Sequence, residues 1–428
     1  MNRTSISALA AGCLALAACT GQGNDGQATV AAPSSAPSAK STGDLRVWLM
    51  KGSQPDSVIK SINAAFNKAF PDVKVTVELQ EAVGIQDRLA DALDSEDPPD
   101  VAEVYNGLTA RFGDEGVLAD LTPVAKDFKV GSMLPGLVAY GNLDGVTFGV
   151  PYYGWDHIVV YNKAQFKKAE VKVPKTVKEF AAVAKELAKT YKSDEEYSAF
   201  YFPGRFWEGA LPFVWDNGGE VAVQADGKWT GTLDSAQARA GLAELKGLVD
   251  AYSNAPTDAD EADNLAAFKK GDIGMMIDAW WVPGTLDAGD LKGKIGAFAL
   301  PGRSSKESAP VYVSGSDLTA PAHGSQLGLA VEWMKIATGQ SIQTRLAKAQ
   351  GVIPNSEAAF GGLDDNKFVK VAAQAATNGR PTPVTPRWGS VESAEVLPDM
   401  VSEILSGQRT IEEASAEASQ EITDLLAE

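Results

Sequence analysis

The residues of this chain best suited to chemistry are aromatic. Five of its nine tryptophans, Trp155, Trp207, Trp280, Trp281 and Trp388, fall at expected loops or at junctions between expected strands. Polar groups stand beside them: Asp156, Glu208, Asp278, Asn106, Arg387 and Glu392. Flat indoles next to carboxylate, amide and guanidinium groups suit a pyranose, whose C–H faces stack on rings while its hydroxyls need hydrogen-bond partners. The adjacent pair Tyr152 and Tyr153 adds two phenols, which leaves a ferric-ion site as a second binding reading.

Catalytic patterns are scarce. The two histidines, His157 and His323, lie in no metal-ligand spacing, and no metal site is expected. A nucleophile elbow and a phosphate loop are both missing from the sequence. No cofactor and no catalytic residue is assigned, and the chain is read as a binding protein rather than an enzyme. The 56 acidic residues leave one enzymatic alternative, a secreted glycoside-acting enzyme working through a carboxylate pair.

The elements that must position these groups alternate in type. Leu45, Val47 and Leu49 have the period of a strand; Ile59, Ile62, Phe66 and Phe70 share a helix face ended by Pro71; Val73, Val75 and Val77 alternate again. A helix near Ile85 and a strand over 101–105 continue an α/β pattern, whose ligand-facing loops follow the strand ends. Lys51 and Asn106 occupy such loops. Val146–Val150 and His157–Tyr161 read as strands separated by a break at Pro151, because proline cannot donate to a sheet. Thr176 and Glu179 form a capping box, and Asp226-Gly227 marks a hairpin. Ile273–Ile277 reads as a buried strand, and from Ser325 onward the chain is mostly helical.

A length of 428 residues exceeds one ordinary core and implies two or three domains. The formal charge of −18 argues against a nucleic-acid partner. Arg3 followed by the apolar stretch Ile6–Ala18 reads as a signal peptide over residues 1–18, too short for a permanent span. Leu16-Ala17-Ala18-Cys19 resembles the bacterial lipobox, which makes Cys19 the expected lipidation site. Residues 19–43, rich in Gly, Ala, Ser and Pro, then form a flexible tether. The expected location is therefore the outer face of the cell membrane, held there by the lipid alone.

Two stretches carry a family resemblance. Gly149-Val150-Pro151 leading to Tyr161-Asn162-Lys163, and Phe268 to Trp281 with Gly271, Met275 and Met276 between, resemble the carbohydrate-binding extracellular solute-binding proteins of bacterial ABC importers, the family of the maltose-binding protein. Weaker echoes are Pro98-Pro99-Asp100-Val101, Gly218-Gly219 and the run from Ser406 to Ala414. The resemblance implies an α/β, two-lobed, type II periplasmic-binding-protein-like fold whose lobes are discontinuous in sequence. Residues 44–153 and 278–315 would form lobe 1, and residues 154–277 and 316–428 lobe 2. It places Trp281 at the family's sugar-stacking tryptophan and Trp155 at a sugar-contacting position. Arg387 and Trp388 match only by region. It implies a monomer that captures a sugar or oligosaccharide and delivers it to permease subunits. The lobes would close about crossings at Tyr152–Asp156, near Asp278 and at Ser314–Asp317, eased by Gly154, Gly284 and Gly315.

Overall fold

The computed structural model describes residues 42–363 and 365–427. Cys19, the signal peptide and nearly all of the tether lie outside the described residues. The first strand, Gly43–Met50, buries Leu45, Val47 and Leu49 and pairs in parallel with Val73–Gln80 and Val101–Tyr105. The helix between the first two, Asp56–Ala69, covers their face with Val58, Ile59, Ile62 and Phe66.

The sheet is organised by one long strand, Gly149–Asn162. Its first half pairs antiparallel with residues 313–319, and its second half with 275–279 and 295–298. The expected break at Pro151 does not end the strand: Ser316 pairs with Tyr153 and Asp317 with Pro151, which leaves Tyr152 as an extra residue in the long strand, and the Pro151 carbonyl accepts from Asn355 Nδ2 at 3.0 Å. A bulge at this point lets a residue without an N–H remain inside a sheet.

The apolar residues collect around the two ends of that strand. At one end Leu45, Phe66, Val150 and Tyr152 pack with Leu329, Trp333 and Leu346. At the other, Val159, Phe180, Phe200 and Met275 pack with Met400, Ile404 and Ile422. A third group, including Ile158, Val313, Ile353, Val369 and Ala372, sits between them.

This packing redraws the expected lobes. Residues 282–298 do not return to the first lobe, because Ile295–Phe298 pairs with the long strand at 159–162 and Val282 and Leu286 pack on Phe268 and Met276 of the second. Residues 316–352 belong with the first lobe, since Leu318 and the helices Leu327–Ala337 and Gln340–Gln350 pack on its core. The third passage between lobes accordingly follows residue 352 rather than lying near Asp278. Smaller features follow local rules. Thr176 Oγ1 accepts from the Glu179 amide at 3.2 Å, and Asp226 and Gly227 both take positive φ in the hairpin turn. Among the described residues no helix is long and apolar enough to cross a membrane.

Candidate functional site

A cavity of about 1340 Å³ lies between the lobes. The first lobe lines it with Tyr105 and with Gly107, Leu108 and Arg111 of the helix Asn106–Asp114; the second contributes Glu208, Tyr312, Arg387 and Glu392. Trp155, in the middle of the long strand, forms part of the wall where the lobes meet. The volume exceeds the roughly 300–1,000 Å³ of a typical small-ligand pocket. A smaller pocket of about 240 Å³ adjoins it, walled by Trp207, Tyr312, Trp388, Leu397 and Pro398, and shares Glu208 and Glu392 with it.

Trp155 is held by rings on several sides. It meets Trp280 nearly parallel, with centroids 6.1 Å apart, and Tyr105 edge-on at 6.3 Å. Trp280 is anchored in turn, since its Nε1 donates to the Gly351 carbonyl at 2.6 Å. In the smaller pocket, Trp207 and Tyr312 pack at 5.3 Å, and Trp388 Nε1 donates to Glu392 Oε1 at 2.8 Å. Fixed ring faces beside unspent polar groups make a surface on which a flat, hydroxylated molecule can stack and hydrogen-bond.

Burial controls the charge here. The Glu208 carboxyl is pushed up to about 8, mainly by desolvation, with repulsion from Glu261 and Glu392 adding to it. Its neighbour His157, whose Nε2 lies 3.4 Å from Glu208 Oε2, is held down to about 4 by burial among Phe206 and Tyr312. Burial thus disfavours the charged form of both partners in this contact. Glu392 is also raised by burial, against the hydrogen bond from Trp388.

The other nominated residues do not line either cavity. Tyr152 and Tyr153 are core residues of the first lobe: the Tyr152 hydroxyl is bonded to Gln54, and the Tyr153 hydroxyl donates to Glu103 Oε1 at 2.7 Å. Burial raises both phenols well above their ordinary range, and both hydroxyls are already spent on partners within the core. Lys51 pairs with Glu81 on the surface. Asn106 is buried at the start of its helix and accepts from Ser314 Oγ at 3.1 Å, so it backs a cavity-lining residue. Asp156 and Asp278 are buried, Asp156 with neither carboxylate oxygen bonded. Trp281 is 48% exposed and lies outside the cavity lining.

Tyr105, Arg111, Tyr312 and Ser314 were not foreseen. Tyr105 ends a strand just before Asn106, so the strand-end rule already pointed one residue away. The strand Val311–Thr319 carries Tyr312 and Ser314, and nothing in its local composition separates a cavity face from a core face.

Known proteins show the same architecture. Residues 61–376 match the family model described as bacterial extracellular solute-binding protein. The diacetylchitobiose binding protein DasA of Streptomyces coelicolor is 34% identical over 354 residues, 82% of each chain. A maltooligosaccharide ABC transporter solute-binding lipoprotein of Streptococcus pneumoniae is 21% identical, covering 88% of this chain and 87% of that protein. The solved structure of the sugar-binding protein MalE from Xanthomonas citri superposes with a TM-score of 0.80 at 18% identity, covering 90% of this chain and 98% of the other. Since the family model spans most of the chain and a relative at 34% identity runs along 82% of it, this protein belongs to the bacterial extracellular solute-binding protein family.

Proposed function

We propose that this protein captures a sugar or oligosaccharide between its lobes and hands it to the permease of an ABC importer. The observation that carries the reading is the cavity itself: an indole platform at Trp155 with hydrogen-bonding groups facing it from both lobes. Two relatives, a diacetylchitobiose binding protein and a maltooligosaccharide solute-binding lipoprotein, support the same ligand class. A ligand that touches both lobes binds the closed arrangement better and shifts the population toward it. Trp281, a large indole left half exposed beside the Trp280 anchor, would come onto the ligand in that closed form.

Isothermal titration with N,N′-diacetylchitobiose, cellobiose, maltose and maltotetraose tests the reading. At least one should bind with Kd in the micromolar range or tighter and be recovered unhydrolysed. Failure of the whole panel would reject sugar capture, and cleavage would favour the glycoside-acting alternative.

Attachment through a lipidated Cys19 is part of the same proposal, supported by the Streptococcus pneumoniae relative's description as a lipoprotein. The variant Cys19→Ser should lose fatty-acid labelling and leave the membrane fraction. Retention there with normal labelling would refute the anchor.

A further inference from the structure

Positive charge is concentrated on one stretch of an otherwise acidic chain. Residues 163–192 hold nine lysines against three glutamates, in a protein whose formal net charge is −18. On the helix Val177–Thr190, Val177, Phe180, Val183, Ala184 and Leu187 are buried in the second lobe, and Lys178, Lys185 and Lys189 are exposed on the opposite face. Their spacing aligns them in a stripe about 17 Å long. The helix Lys163–Lys168 packs beside it with Lys168 Nζ 4.4 Å from the Tyr191 ring, which joins its own basic end to the end of the stripe. The loop between the helices adds Lys172 and Lys175, with Val173 40% exposed between them. Lys189 pairs with Glu186, but Lys167, Lys172, Lys175, Lys178, Lys185 and Lys192 form no ion pair among the described residues. The remaining acids nearby do not neutralise them: Glu179 accepts from the Lys175 amide, Glu170 precedes the loop, and Asp194, Glu195 and Glu196 follow the stripe. No residue of 163–192 lines either cavity.

Solubility alone asks only that an exposed helix face be polar, and mixed signs at a spacing of four residues would serve it without self-repulsion. An unpaired array of one sign is relieved instead by an anionic surface. Lysine is a hydrated point charge on a flexible stem, which suits the shifting phosphates of a headgroup layer better than a fixed bidentate partner. Val173 offers an apolar foothold at headgroup depth. We propose that this lysine face of the second lobe rests on the anionic phospholipid surface of the cell membrane. The acidic remainder of the chain does not cancel the attraction, because exposed charges farther off than a Debye length, about 10 Å at 0.1 M salt, are screened. The 24 residues from Cys19 to Thr42 span at most about 80 Å, so a lipid at Cys19 keeps the face close to the bilayer at a high effective concentration, where weak contacts suffice. Contact through this face rests on the anchor at Cys19 for its setting, and a chain without the lipid separates the two.

The test uses the processed chain carrying Cys19→Ser, which bears no lipid, and vesicles of phosphatidylcholine alone or mixed with phosphatidylglycerol. In sedimentation at low salt, partition onto the phosphatidylglycerol vesicles should exceed that onto the neutral ones at least about tenfold, and it should vanish at about 0.5 M salt, where the Debye length falls to about 4 Å. Lys178→Glu, Lys185→Glu and Lys192→Glu together should lower it at least about tenfold. The same change of charge on the first lobe, Lys60→Glu, Lys68→Glu and Lys74→Glu, should leave it within about threefold of the parent. Both triple variants should unfold thermally like the parent, since all six side chains are exposed. Absence of binding to phosphatidylglycerol, equal partition onto the two kinds of vesicle, partition that survives salt, or equal losses in the two triple variants would each overturn the proposal. If vesicles fail to bind while the second-lobe variant slows sugar uptake by cells, the face meets an acidic protein and the membrane contact is overturned. A Cys19→Ser chain that stays with the membrane in cells yet does not bind phosphatidylglycerol vesicles would overturn both this contact and the lipid anchor.

Discussion

Trp155 and Trp280 stack with centroids 6.1 Å apart and planes 18° from parallel, so the indole that lines the cavity is backed by a second indole locked to the Gly351 carbonyl. The pair divides labour between ligand and scaffold. Trp155→Ala should weaken sugar binding by roughly 1.5–3 kcal/mol, about ten- to a hundredfold, as for an aromatic anchor at an interface. Trp280→Ala should act mainly on the fold and cost about 2–4 kcal/mol of stability, with a smaller loss of affinity. Calorimetric titration and urea unfolding of both variants check the division, which fails if Trp280→Ala loses more affinity than Trp155→Ala.

Trp281 should behave in the opposite way to its neighbour. An indole 48% exposed contributes little to the fold. Trp281→Ala should leave stability within about 0.5 kcal/mol of the parent, as is usual for surface substitutions. If the ring meets the ligand on closure, affinity should fall at least about tenfold. Binding within threefold of the parent would remove Trp281 from the site.

Asp317 predicts a pH dependence of folding. It is fully buried, its Oδ2 accepts from Thr109 Oγ1 at 2.8 Å and its Oδ1 is unbonded, and desolvation pushes the carboxyl up to about 7. An acid whose folded value lies above its unfolded one is ionised first in the unfolded chain. The contribution of this group to stability is therefore full below about pH 4, falls as pH rises toward 7, and is lost above it. Asp317→Asn retains an acceptor for Thr109 without the charge. It should flatten this slope and raise stability at pH 8 by roughly 1–3 kcal/mol. Urea unfolding at pH 5 and pH 8 decides it, and an unchanged slope would contradict the assignment.

Gly315 and Gly284 separate tight packing from freedom. A Cβ on Gly315 would lie 2.2 Å from the Tyr153 carbonyl oxygen, whereas one on Gly284 would meet nothing within 4 Å. Gly315→Ala should cost about 2–4 kcal/mol, because strand backbone must move, and Gly284→Ala in the helix Val282–Leu286 should be neutral or stabilising by about 0.5 kcal/mol. Thermal unfolding of the two variants gives the comparison. Equal effects would mean that the glycines serve as interchangeable flexible joints, as their sequence positions suggest.

The sequence by itself determined those features that depend on neighbours along the chain. The strand Gly43–Met50 and the helix Asp56–Ala69 follow from apolar period, the hairpin turn from Asp226-Gly227, and the solute-binding family from motifs at Pro151 and Phe268. Trp155, Glu208 and Arg387, candidates because indoles beside polar groups suit a sugar, do line the cavity. Tertiary structure decided what depends on distant partners. Pro151 remains in a strand because its pairing with the distant segment 313–319 continues past it, with Tyr152 bulged between the Tyr153–Ser316 and Pro151–Asp317 pairs. Residues 282–298 stay with the second lobe because their pairing partner at 159–162 is there. Tyr152 and Trp281 are both aromatic and both near a junction, yet one is in the core and the other at the surface. Local sequence states only that each ring must be covered by something; which surface covers it is set when sheets formed from remote segments pack together.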